Sequence, residues 1–114
     1  MLVMPRKYGG LCLPVLEAAA RGLALVMTDT VPNSDWPIVP IPVQRTFVPR
    51  KKHVTVDKLY FTNPQEVARI VDSLQGQPLR EAQERAVAWA ESLAWSKWAG
   101  EYRMLLERAA KEIR

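Results

Sequence analysis

Cysteine and histidine occur once each in this chain, as Cys12 and His53. One thiol makes no internal disulfide, and one cysteine with one histidine cannot build a Cys/His metal cluster. No metal site and no cofactor are therefore expected. Long apolar runs are missing too, so no segment is expected to span a membrane. The apolar stub at the start is interrupted by Pro5, Arg6 and Lys7, which is not the layout of a signal peptide. A cytoplasmic protein is expected. Acids are scarce in one half only: residues 1–54 hold three against seven Lys or Arg, whereas residues 55–114 balance nine against nine. Repeats and low-complexity tracts are absent as well. With 114 residues, 48% of them hydrophobic, the chain is one domain able to bury a core.

What is present concentrates in residues 3–17. Leu2 to Met4 reads as a buried strand, followed by a turn with Gly9 and Gly10. A helix then opens at Pro14, whose missing N–H is no loss at the first helical position. The first amides of a helix lack intrahelical partners, and its dipole makes that end positive. Glycines leave such a mouth open to a phosphate. The amides aimed at a ligand are those of Gly10, Leu11, Cys12 and Leu13. Glu17, one turn further in, can accept hydrogen bonds from a ribose diol. Amides for phosphate beside a carboxylate for sugar suggest a nucleotide or nucleotide-sugar site. The same turn also fits a strand–helix connection that binds nothing. Cys12 at a helix start fits either a reactive thiol or a small packed residue, and the packed residue is the simpler reading.

Further along, Pro14 to Arg21 reads as a short helix closed by Gly22. Leu23 to Thr28 is a continuous apolar run, as in a central parallel strand. Thr28 and Asp29 end it at the carboxyl edge, where ligand crevices of α/β sheets lie. Residues 30–58 form a proline-rich loop region, with prolines at 32, 37, 40, 42 and 49. That density excludes a helix and disfavours a central strand. Trp36 either stacks on a base or plugs a gap, and the plug is preferred. The basic run Arg50–Lys52 with His53 is read as a solvated loop. Its field favours an anionic ligand, but no reader motif points to nucleic acid. Val54–Val56 and Lys58–Phe61 are strand candidates, the second as the next strand of the sheet.

Asn63-Pro64-Gln65-Glu66 reads as a capping box. Val67, Ile70, Val71 and Leu74 follow as an apolar stripe stopped near Gly76. A second helix from Pro78 is expected to turn Leu79, Ala82, Ala86, Trp89 and Leu93 inward. Ser96 is expected to cap a third, spanning much of 94–114, with Trp98, Tyr102, Leu105 and Ala109 inward.

The stretch Arg6 to Ala18, then Gly22 to Asp29, resembles the signature of GT-B retaining glycosyltransferases of the glycogen-synthase and sucrose-synthase-like group (glycosyltransferase family 4). Their pattern runs roughly E-G-F-G-L-P-x-x-E-A, a short helix, then G-x-P-V-V-A-T-D. Trp95-Ser96-Lys97-Trp98 through Tyr102 resembles the segment that opens the last helix of that fold. The resemblance implies a partial Rossmann-like parallel sheet of three to four strands, with flanking helices and a helical C-terminal end. It also implies that Glu17 holds the ribose hydroxyls of a UDP- or GDP-linked sugar donor. The loop amides of Gly10, Leu11, Cys12 and Leu13 would hold its diphosphate. Gly9 stands where the family's first glutamate contacts the donor sugar, and Cys12 replaces the second loop glycine.

Residues 1–114 resemble only the latter part of the GT-B C-terminal, donor-binding domain. Glycosyl transfer needs donor and acceptor held together, so the chain alone is expected to be incomplete for catalysis. A complementary glycosyltransferase half, or a second copy, is expected to cover the apolar edge at Leu2–Met4. The alternative is a catalytically silent protein-interaction module that keeps the fold.

Overall fold

The computed structural model describes residues 1–6, 12–49 and 58–113. Strand β1 (Leu2–Met4) leads to helix α1 (Leu13–Ala20) and strand β2 (Leu25–Thr28). A 3-10 turn at Asn33–Asp35 and strand β3 (Ile38–Ile41) follow. These strands form one parallel sheet in the order β1-β2-β3. Val26 pairs with Val3 on one side and with Val39 on the other. The architecture is mixed α/β with a small parallel sheet.

The apolar run of β2 is continuous because both of its faces are covered. Leu25 and Met27 face Val15, Ala18 and Ala19 of α1 and Ala86 of helix α3 (Gln77–Ser92). Val26 faces the opposite way, toward Ile70 and Leu74 at helix α2 (Pro64–Ser73), with Ile41 of β3 beside it. All four residues of β2 are buried. Trp36 plugs a gap, as preferred from the sequence: it packs on the α1–α3 side with its ring 5.6 Å from that of Trp89.

Helix α1 ends where Gly22 was expected to end it. Gly22 has φ +76°, and the amides of Gly22 and Leu23 close back on the carbonyls of Ala19 and Ala18 at 3.0 Å each. This is the Schellman arrangement, whose left-handed residue is best supplied by glycine. The helix begins at Leu13, one residue before the expected Pro14, because Cys12 is still extended at φ −133° and ψ 101°.

Several expectations are corrected. The proline-rich stretch is not all loop: β3 lies within it, and Pro40 sits inside β3. Proline is tolerated there because β3 is an edge strand of the described sheet. The Ile41 carbonyl accepts from the Asp29 amide on the β2 side, so alternation turns the Pro40 nitrogen toward the open edge. Lys58–Phe61 does not supply the next sheet strand. Strand β5 (Leu59–Phe61) pairs antiparallel with β4 (Arg45–Phe47) in a separate two-stranded sheet. The Val54–Val56 candidate and the Arg50–His53 loop lie outside the described residues.

The capping box is half formed. Asn63 Oδ1 accepts from the Gln65 amide at 2.9 Å, and Pro64 takes the first helical position. Glu66 turns forward to Arg69 rather than back to the cap. That hydrogen bond and the Arg69 charge hold the Glu66 carboxyl below its ordinary pKa. Leu93 is exposed rather than inward. The largest difference is helix α4 (Trp95–Glu112), which follows Ala94 rather than a Ser96 cap and contains no buried residue. Trp98, Tyr102 and Leu105 lie exposed on it, and Ala109 with them. Their spacing identifies an apolar face correctly, and Trp98 Nε1 donates to the Ser92 carbonyl at the end of α3 at 3.1 Å, but the face stays open to solvent.

Candidate functional site

The carboxyl ends of β1 and β2 and the start of α1 meet at one edge of the sheet. This follows from the parallel β1–α1–β2 connection: the helix must run back against the strands, so its first residues return to where β1 ends. Cys12 marks the meeting point. Its thiol lies 3.9 Å from the Met4 sulfur, and both side chains pack on the α1–α3 core. The packed-residue reading of Cys12 is therefore the one the structure supports.

A ring of three residues ties this edge together. The Thr28 hydroxyl donates to the Arg6 carbonyl at 3.1 Å. The Asn33 amide nitrogen donates to the Thr28 carbonyl at 3.1 Å. Arg6 Nη1 donates to Asn33 Oδ1 at 3.2 Å, which closes the ring. Thr28 and Asn33 are fully buried, so their polar groups need these partners. The result is a half-buried arginine held at the carboxyl edge by its backbone and its side chain.

At the helix start, Cys12 makes no side-chain cap, so its hydrogen-bonding capacity is not spent on the first amides. The Val15 amide bonds to the Cys12 carbonyl at 3.1 Å, and Pro14 has none to give. The amides of Cys12 and Leu13 are what the described residues offer at this mouth. Gly9, Gly10 and Leu11 lie outside the described residues. Comparison of the chain with protein-family models, with curated proteins and with solved structures found no match.

Glu17 is exposed and stands four residues beyond Leu13, about 6 Å along the helix axis. It lines an open groove of about 290 Å³ between α1 and α3, with Leu16, Ala20, Ala90 and Leu93. Cys12 and Leu13 do not line that groove. The structure thus brings Arg6, Thr28, Asn33 and the start of α1 together, and puts Glu17 in an adjoining groove. Sequence reasoning missed the Arg6–Thr28–Asn33 ring. Thr28 was legible as the end of a strand, but an asparagine after Pro32 reads as an exposed turn residue. Nothing in its spacing announces burial. Among the described residues no group of three His, Cys, Asp or Glu could hold a metal ion. No described helix is long and apolar enough to cross a membrane.

Proposed function

We propose that the chain binds the nucleoside-diphosphate part of a sugar donor and contributes this binding wall to a glycosyltransferase. The diphosphate would lie at the mouth of α1, against the amides of Cys12 and Leu13 and the glycine turn before them. Glu17 would reach the ribose hydroxyls from the adjoining groove. The observation that carries the reading is Arg6, a cation fixed by Asn33 and Thr28 at the edge where the helix start arrives. A helix start with a positive charge beside it attracts a phosphate on two counts. The family resemblance of residues 6–29 agrees with this placement. Gly9 carries no acid for the donor sugar, so binding without turnover is expected of the chain alone.

Titration calorimetry with UDP and GDP tests the reading. One of the two is expected to bind. Glu17→Ala is expected to weaken it about tenfold or more, as loss of a charged hydrogen-bond acceptor does. Absence of heat with both nucleotides, alone and with a co-expressed partner half, would refute the proposal.

The second reading, a silent interaction module, is favoured by one observation: the exposed apolar face of α4. It expects no nucleotide effect on the melting temperature.

A further inference from the structure

Helix α4 exposes Trp95, Trp98, Tyr102 and Leu105 at alternating spacings of three and four, and Ala109 continues the series. This is the a/d seam of a helix that pairs with another helix. Trp95 and Tyr102 already stack on it, with ring centroids 5.1 Å apart. We propose that this face pairs antiparallel with α4 of a second copy of the chain.

Three features select that occupant. The first is area. The chain exposes 8529 Å², whereas a compact monomer of its mass would expose roughly 6,300 Å². The surplus of roughly 2,200 Å², taken over the whole chain, leaves room for the roughly 800 Å² per partner that a stable interface needs. The second is size matching along the seam. With Tyr102 opposite Leu105 of the second copy, Trp98 falls opposite Ala109, so the Trp98 ring meets a small residue, and Trp95 falls opposite Glu112 at the end of the seam. Parallel pairing would set Trp95 and Trp98 against their own copies. The third is charge. Glu101 and Arg108 occupy the same flank of the seam, seven residues apart. In the antiparallel register Glu101 of each copy lies beside Arg108 of the other, which gives two opposite-charge contacts per pair. In a parallel register the flanking neighbours are Leu106 and Ile113, and the charges have no complement.

Among the described residues the one ion pair is Glu66–Arg69, so neither Glu101 nor Arg108 is paired with a described residue of its own chain. The pairing does not rest on the nucleotide site, since α4 lies outside the parallel sheet and its two helical faces.

Sedimentation equilibrium of the full chain, up to about 200 µM for an interface of modest affinity, tests the proposal. The mass should rise from 12.9 kDa toward twice that value. E101R alone and R108E alone should each raise the dissociation constant about tenfold, because each turns two attractions into two repulsions. The combined E101R/R108E variant should restore it to within about threefold of the starting value. Far-ultraviolet circular dichroism on the same samples shows that the helices remain. A chain monomeric throughout the range would overturn the proposal. So would a dimer indifferent to the single reversals, or a double variant that stays dissociated.

Discussion

At the scale of single residues, position 22 shows how one side chain decides a path. A glycine with φ +76° lets the chain leave α1 and enter β2 through the four residues 21–24. A Cβ there would meet only Val87 Cγ2, at 3.7 Å, so space is not the obstacle. The cost of Gly22→Ala is conformational, and we expect a loss of about 1–2 kcal/mol, read from urea unfolding. At position 12 the thiol is turned inward to Met4, which makes it a packing residue. Asn33 is the residue that spacing alone could not place. Its burial follows from the partners it gains at Thr28, five residues before it, and at Arg6, 27 residues before it.

At the scale of elements, legibility follows from how local the deciding interaction is. β1, α1 and β2 were readable because their patterns are set by their own faces and ends. β2 is buried throughout because helices cover both sides, and the apolar run Leu25–Met27 before Thr28 makes that visible in the sequence. β3 was hidden by Pro40, since a proline argues against pairing unless the strand is known to be an edge. β5 was visible as a strand but not as a partner of β4, because three apolar residues say nothing about which strand they join. The α2 start was readable in its asparagine cap but not in the direction of Glu66. Asn63→Ala is expected to cost about 1 kcal/mol in thermal or urea unfolding, since one amide loses its acceptor. The Glu66–Arg69 contact is exposed and belongs to a different class. Its folded carboxyl pKa is depressed, so whatever stability it adds is present above the unfolded carboxyl pKa and fades as pH falls through the folded value. Salt should erase most of it.

At the scale of the whole molecule, the chain is more open than a domain of its length. Its radius of gyration is 18.1 Å, against about 13 Å for a compact chain of this size. The sheet with α1, α2 and α3 holds the core, and α4 contributes no buried residue to it. The amphipathic stripe of α4 reports that a face is apolar and is silent on what covers it, which is why it was read as interior. The carboxyl edge, its arginine and the start of α1 lie together, and a nucleotide is inferred to bind there. Amide chemical-shift mapping tests that inference most directly. Titration of isotopically labelled protein with UDP or GDP is predicted to move the amide resonances of Arg6, Cys12, Leu13 and Glu17 together and saturably. Shifts that leave these four unmoved at saturating nucleotide, or that gather at α4 instead, would contradict the account.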